Sequence, residues 1–143
     1  KGMVISTVRN RAGGEKVYKA AKQGVHLPLA VLVNGYSASG SEMFSGAVQD
    51  NGRGKIIGTQ TFGKGIVQSY FRLSSNGGWV KITTDAYFTP SGVCIHGVGI
   101  KPDIPVELAG GKDEYVDIST LDHADDAQLQ AALTYLAGQN GGN

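Results

Sequence analysis

The sequence predicts a mixed α/β domain, and three observations carry this prediction. A continuous apolar run at 29–33 is typical of a buried strand, and 40–50 has the apolar stripe of a helix. Two further runs, 66–73 and 79–84, flank a turn rich in serine, asparagine and glycine, which predicts a hairpin. With 143 residues, the chain is long enough to bury about two-thirds of its unfolded surface.

The first half of the chain predicts three strands and one helix. Residues 3–8 read as a strand that turns at 10–14 and returns through 16–18. The apolar run 29–33 predicts a strand that is buried on both faces. The helix at 40–50 stops at an Asn-Gly pair. Its predicted apolar stripe consists of Met43, Phe44, Ala47 and Val48.

The second half continues with short strands and turns. Residues 55–58 predict a strand, and the hairpin that follows turns at 74–78. A further turn falls at 89–92, and two prolines hold 101–106 extended. The order of strand, helix, strand and hairpins therefore fits a mixed sheet with helices, and the sequence contains no internal repeat.

The chain divides into a core and a C-terminal addition. Residues 1–108 are predicted to form the core, and the polar, acidic segment 109–124 a surface loop. A final helix at 125–138 is predicted to pack on the core and to end at Gly138. Its apolar stripe consists of Leu129, Ala132, Leu133 and Leu136.

Charge and composition exclude several classes of function. Thirteen basic and 12 acidic residues give a net charge of +1 with the signs mixed, which argues against a nucleic-acid surface built on charge. No apolar stretch approaches the roughly 20 residues that span a bilayer. The single cysteine, Cys94, excludes an internal disulfide. Nothing in the sequence calls for a metal or another cofactor.

A serine turn at the mouth of the predicted helix is the first candidate for chemistry. Ser39 lies between a strand and a helix, where the helix dipole and the N–H of Gly40 could stabilise an oxyanion. Ser39 and Glu42 also have the spacing of a capping box, in which Glu42 would only close the cap. Taken alone, this segment fits a structural cap better than a nucleophile.

A lysine between two glycines is the second candidate, although taken alone it also fits a surface lysine in a glycine turn. A neutral lysine can deprotonate a serine, and the apolar neighbours of Lys64 suggest the burial away from carboxylates that favours a neutral amine. Gln68 lies four residues on and could orient the amine on the same side of the chain. The segment 58–65 imitates a phosphate-binding loop, but Gly65 replaces its hydroxyl residue and a strand follows, so nucleotide binding is rejected.

The remaining candidates are weaker. His96 could partner a serine with Asp85 or Asp103 as its orienter, although no spacing favours that triad. Cys94 and His96 are too few ligands for a metal site. The acidic cluster at 122–126 could bind a cation weakly, but it fits better as the cap of the last helix.

Several motifs together resemble the C-terminal processing peptidases, also called tail-specific proteases. The matching segments cover most of 3–106, and 126–136 resembles the closing helix of that family. The motifs are Asn34-Gly35-Tyr36-Ser37-Ala38-Ser39-Gly40-Ser41-Glu42, Gly58-Thr59-Gln60-Thr61-Phe62-Gly63-Lys64-Gly65-Ile66-Val67-Gln68, Tyr87-Phe88-Thr89-Pro90-Ser91-Gly92 and Gly97-Val98-Gly99-Ile100-Lys101-Pro102-Asp103.

The resemblance implies a crotonase-like α/β fold and a serine endopeptidase that cleaves proteins near exposed, often apolar C-termini. It implies Ser39 as nucleophile, Lys64 as general base, Gln68 as the orienter of the lysine, and the Gly40 N–H as one oxyanion donor. It also implies an extracytoplasmic location such as the periplasm, cell envelope or lumen. Independently of the resemblance, we expect no cofactor and no nucleic-acid partner.

The family also carries parts that this sequence does not match. A PDZ domain and an upstream core segment that completes the oxyanion hole are expected to be missing, so we expect this partial catalytic core to be weak or inactive alone. A sheet edge left open in this way could pair with a second copy, which makes a homo-oligomer an expectation. The alternative is a catalytically silent peptide-binding or scaffolding module with the same fold.

Overall fold

The computed structural model describes residues 2–21, 24, 26–108, 117 and 119–140. Within these residues the chain forms seven strands and two helices. They are β1 (Val4–Asn10), β2 (Glu15–Lys19), β3 (Ala30–Val33), α1 (Gly40–Asp50), β4 (Lys55–Gly58), β5 (Ile66–Arg72), β6 (Trp79–Phe88), β7 (Ile104–Pro105) and α2 (Ala127–Asn140).

The strands form two sheets, and the mixed α/β prediction is confirmed. One sheet is antiparallel with the order β2-β1-β6-β5, and the other is parallel with the order β3-β4-β7. Helix α1 contacts β1 of the first sheet and β4 of the second, whereas α2 contacts β3 and β4. Helix α1 therefore packs against both sheets.

The core is small and centred on the parallel sheet. Its buried apolar side chains are Val33, Val48, Ile56, Ile95 and Ile100. The prediction that the strand at 29–33 is buried on both faces is wrong, because Leu32 in β3 remains 39% exposed. The physical reason is that β3 is the edge strand of its sheet, so the described residues cover it incompletely.

The buried face of α1 also differs from the predicted apolar stripe. Phe44 is 54% exposed, and the buried residues of this helix are Glu42, Ser45, Gly46 and Val48. A Cβ on Gly46 would lie 3.0 Å from Thr89 Cγ2 and 3.2 Å from Ile100 Cδ1. Close packing against the following segments therefore requires small residues on this face, which a search for large apolar side chains overlooks.

The C-terminal helix lies two residues later than predicted. Helix α2 extends through Gly138, whose backbone does not adopt the left-handed conformation of a helix stop. Asp126 caps it, since its Oδ1 accepts the N–H of Leu129 at 2.9 Å, as the capping interpretation of the acidic cluster expects. Most of the predicted loop at 109–124 lies outside the described residues. No helix in the described part of the chain is long and apolar enough to cross a membrane.

Candidate active site

The segment between β3 and α1 forms a tight turn that leads to the candidate serine. The N–H of Ser37 donates to the carbonyl of Asn34 at 2.9 Å, and the N–H of Tyr36 donates to Asn34 Oδ1 at 2.9 Å. The N–H of Asn34 in turn donates to Ser37 Oγ at 3.1 Å. This local network brings the chain from the end of the parallel strand to the start of the helix within a few residues.

Ser39 has a strained backbone. With φ 56° and ψ −110°, it is the one non-glycine residue with a positive φ in the described ranges. The N–H of Ser41 donates to the carbonyl of Ala38 at 3.2 Å, so Ser39 takes the first central position of a turn that normally favours glycine. Strain of this kind costs about 1–3 kcal/mol and is concentrated at functional sites. The amino-acid sequence alone gave no indication of it.

The residue after the serine offers a backbone donor. Gly40 is the first residue of α1, so its N–H has no partner within the helix and lies at the positive end of the helix dipole. A Cβ at this position would meet no atom within 4 Å. The donor therefore belongs to the backbone geometry and does not require glycine.

Glu42 is fully buried and joins the serine turn to the lysine loop, which we define as residues 58–65. Its Oε2 accepts the N–H of Ser39 at 2.8 Å and the N–H of Lys64 at 2.8 Å. Its Oε1 accepts the Thr61 hydroxyl at 2.6 Å and the N–H of Gly63 at 2.6 Å. Since one oxygen contacts both backbone nitrogens, the backbones of Ser39 and Lys64 lie side by side.

The expectation that Glu42 only closes a helix cap is therefore wrong. Ser39 is the N-cap and Glu42 the third helical residue, as the capping box predicts, but three of the four donors to the carboxylate come from the lysine loop. A buried carboxylate needs several donors to offset its lost hydration, and the cap alone supplies one. The spacing of Ser39 and Glu42 is enough to predict the helix cap. No feature of the sequence predicts that Thr61 and Gly63 also donate to Glu42.

The opposite side of the lysine loop packs against the segment 95–100. The N–H of Gly97 donates to the carbonyl of Gly63 at 2.9 Å, and the N–H of Ile100 donates to Thr61 Oγ1 at 2.7 Å. A Cβ on Gly65 would lie 2.7 Å from Ile95 Cγ1 and would collide with the backbone of His96. The glycines on either side of the lysine are thus required by close backbone contact.

Ser39 is half-buried, whereas the other two members of the predicted triad are exposed. Lys64 and Gln68 are exposed, and within the part of the chain that the structure describes no hydrogen bond joins the side chains of Ser39, Lys64 and Gln68. The prediction that Lys64 is buried is wrong. The lysine loop buries its glycines and exposes the side chains of Phe62 and Lys64. A β-bulge at Val67 and Gln68 also interrupts the alternation on which the four-residue spacing argument relies.

The alternative histidine arrangement finds no support in the geometry. His96 is exposed, and among the described residues no hydrogen bond joins it to Asp85 or Asp103. Asp103 instead accepts the N–H of Ile56 at 2.8 Å and lies 3.9 Å from the amine of Lys55. This carboxylate therefore fixes strand β4.

A groove of about 770 Å³ lies between α1 and the antiparallel sheet, and neither Ser39 nor Lys64 lines it. Met43, one turn into α1 after Ser39, and Val67, three residues after Lys64, both line it. Its other apolar walls come from the antiparallel sheet, through Ile5, Val8 and Tyr87. The groove is large enough to accept one or more apolar side chains.

A strained serine between a strand and a helix thus lies beside the lysine loop in a crotonase-like α/β fold. A sequence profile of Peptidase family S41 matches residues 1–106, and the chain belongs to this family. It is 49% identical over 110 residues to a carboxy-terminal-processing protease of Bartonella bacilliformis, which covers 75% of this chain and 25% of that protein. It is 40% identical over 136 residues to a carboxyl-terminal-processing protease of Synechocystis sp., with 94% of this chain and 30% of that protein covered.

The solved structures agree with this assignment. The photosystem II D1 C-terminal processing protease superposes with a TM-score of 0.70 and 37% identity, over 74% of this chain and 28% of that one. A lipoprotein from Streptococcus agalactiae, at 18% identity and a TM-score of 0.68, shares the fold over 96% of this chain and 46% of its own. The chain thus spans about a quarter to a third of the length of these two curated relatives.

Proposed function

We propose that this chain carries the reaction centre of a serine endopeptidase that cleaves proteins near exposed C-terminal tails. In this proposal Ser39 is the nucleophile, Lys64 the general base, Gln68 the residue that orients the lysine, and Gly40 the donor of one oxyanion N–H. The observation that carries the proposal is the strained Ser39 backbone, which Glu42 holds beside the backbone of Lys64.

The chemistry follows from these positions. Ser39 Oγ would attack the scissile carbonyl carbon while the neutral amine of Lys64 takes the hydroxyl proton. The oxygen of the tetrahedral intermediate would accept the N–H of Gly40 at the start of α1. The protonated amine would then give its proton to the leaving nitrogen, and water would release the acyl group from Ser39 by the same steps in reverse order.

The side chain of Lys64 can turn without any change in its backbone contacts. The backbone N–H of Lys64 stays on Glu42, and within the described residues its amine forms no ion pair that would hold it outward. Its flexible four-carbon stem can swing while the loop remains fixed by its glycines. Catalytic hydrogen bonds often form only when substrate arrives, which is consistent with an open arrangement here.

The groove between α1 and the antiparallel sheet supports the choice of substrate. Its walls of Met43, Val67 and Tyr87 would accept apolar side chains near the scissile bond. The names of the relatives describe processing of carboxyl termini, and the proposal extends that substrate class to this chain. An extracytoplasmic location belongs to the same proposal and comes from the family resemblance.

A chimera tests the proposal in a complete enzyme. Residues 2–108 would replace the matching segment of the Bartonella bacilliformis relative, and hydrolysis of a peptide with a free apolar C-terminus would be measured. We expect hydrolysis by the chimera and its loss in Ser39→Ala and Lys64→Arg, because a guanidinium cannot act as base. Lys81→Arg, at an exposed lysine in β6, is the matched control. Hydrolysis by the Lys64→Arg chimera would contradict the assignment of the base.

One observation favours a second candidate, a peptide-binding module that does not cleave. It is the outward position of the Lys64 and Gln68 side chains. In that case the chimera would bind the same peptide, as measured by fluorescence anisotropy, without hydrolysing it, and Ser39→Ala would leave the affinity unchanged.

A further inference from the structure

Strand β2 presents an open edge of the antiparallel sheet. It lies at one end of the order β2-β1-β6-β5 and pairs only with β1 in the part of the chain described. All five of its residues, Glu15–Lys19, are exposed. An edge of this kind exposes unpaired N–H and carbonyl groups to which another strand can add.

The hydrogen bonds at the two ends of β2 show which backbone groups are unpaired. The carbonyl of Gly14 accepts the N–H of Asn10 at 2.9 Å, and the N–H of Ala20 donates to the carbonyl of Met3 at 2.8 Å. Even-numbered residues of this segment therefore direct their backbone groups toward β1. Because the direction alternates along a strand, the groups of Glu15, Val17 and Lys19 point away from the sheet.

The side chains of these three residues are complementary to a second copy of themselves. In an antiparallel pair centred on Val17, Glu15 of one copy lies opposite Lys19 of the other, and the same contact recurs by symmetry. The two valines, each 43% exposed, meet at the centre. Such a pair would form about six main-chain hydrogen bonds. We propose that this chain forms a two-fold symmetric dimer by antiparallel pairing of β2 with β2 of a second copy.

Two contacts within one copy prepare the strand for this pairing. Arg9 holds Glu15 at 2.8 Å, so the carboxylate would lie between two cations in the dimer. The amine of Lys16 lies 4.8 Å from the centre of the Tyr18 ring, and the symmetric register places Lys16 opposite Tyr18 of the other copy.

Lysines on an edge strand ordinarily oppose pairing, because many registers bring like charges together. In the register centred on Val17 no two like charges lie opposite each other. Strand β5, at the other end of the same sheet, offers no such match. In a symmetric antiparallel pair of two β5 strands, Arg72, the one charged residue of the strand, would lie opposite Ile66. The charge pattern therefore selects β2 and a second copy as its partner.

Sedimentation equilibrium of the full chain, from micromolar to near-millimolar concentration, provides the first test. We expect the average mass to rise from that of one chain toward twice that value. Val17→Pro removes the central outward N–H and should keep the chain monomeric, while Val17→Ala should still dimerise. A wild-type chain that stays monomeric throughout would overturn the proposal, and so would a Val17→Pro chain that dimerises as the wild type does.

A charge exchange tests the register and needs no proline. Lys19→Glu and Glu15→Lys each place two like-charged pairs across the interface, so each should weaken the dimer by about tenfold or more. An equimolar mixture restores both opposite pairs and should form heterodimers as tightly as the wild type. Circular dichroism would confirm that both variants fold. Dimers of either variant alone with wild-type affinity, or a mixture that stays monomeric, would exclude this register.

Discussion

The backbone N–H of Lys64 donates a 2.8 Å hydrogen bond to Oε2 of Glu42, which lies 22 residues earlier in the chain. The same oxygen accepts the N–H of Ser39. A single buried carboxylate therefore sets the distance between the two segments that carry the candidate nucleophile and base. Side-chain motion of the lysine can then occur on a fixed backbone, which is the condition for a reproducible site.

Glu42→Gln should destabilise the chain strongly although it preserves size. An amide can turn only one oxygen toward the four donors, so at least one N–H or hydroxyl would face another donor inside the protein. We expect the free energy of unfolding in urea to fall by about 3–5 kcal/mol. Ser41→Ala, at an exposed residue of the same helical turn, should change it little. Equal urea midpoints for Glu42→Gln and the wild type would show that the carboxylate is not required.

Ser39→Gly should be more stable than Ser39→Ala, although alanine is ordinarily the more stabilising of these two residues. Glycine adopts the positive φ of this position without strain, whereas alanine retains the strain. We expect Ser39→Gly to be about 1 kcal/mol more stable than Ser39→Ala by urea unfolding. Both lack the hydroxyl and should fail to hydrolyse peptide in the chimera. Greater stability of the alanine variant would mean that this backbone is not strained in solution.

Gly65→Ala and Gly40→Ala form a matched pair on the two sides of the site. The first introduces a methyl group that collides with the backbone of His96, so we expect a loss of about 1–3 kcal/mol in unfolding free energy and lower activity of the chimera. The second adds a methyl group into open space at the first helical position and leaves the N–H in place. It should retain activity and gain up to about 1 kcal/mol. Loss of activity in Gly40→Ala at unchanged stability would count against the assigned oxyanion donor.

Asp50 makes the stability of the chain depend on acid pH. Burial alone would raise the pKa of this carboxyl, but hydrogen bonds from the side chains of Thr89 and Ser91 and from the N–H of Ser91 outweigh it and leave the pKa below its ordinary value of 3.8. A lowered folded-state pKa means that the stabilisation is complete above the ordinary value and disappears as the pH falls through the folded value.

Asp50→Asn should therefore unfold at lower urea concentration than the wild type at neutral pH, and the two midpoints should converge in acid. Asp125→Asn, at an exposed carboxylate before α2, should match the wild type at neutral pH. A constant difference between wild type and Asp50→Asn across the acid range would show that the contact does not depend on the charge.

The sequence predicts the order of the elements well, because the strand and hairpin signals are local. The hairpin around 74–78 and the turn after β1 depend on neighbouring residues, and both occur where expected. Which face of α1 is buried does not depend on neighbouring residues in the sequence. Glu42 and Gly46 are buried because of Thr61, Thr89 and Ile100, which approach only when distant segments meet.

The candidate site shows the same division. Ser39 and Lys64 are recognisable from motifs, and their backbones lie together as the motifs suggest. The strain at Ser39 is a property of its backbone dihedral angles, and the central role of Glu42 depends on donors far away in the sequence. The spacing of residues in a motif predicts neither. The side-chain direction of Lys64 depends on how the flanking glycines pack, and this also requires the tertiary structure.

The hydroxyl of Thr61 donates to Glu42 and accepts the N–H of Ile100, so it connects three segments that are far apart in the chain. During synthesis, the serine turn and the lysine loop leave the ribosome before the residue that completes this connection. The Thr61 hydroxyl gains its contact with the N–H of Ile100 only once that last segment has docked. The hydrogen-bond network around the candidate site is therefore completed only after the last of these three segments has been synthesised.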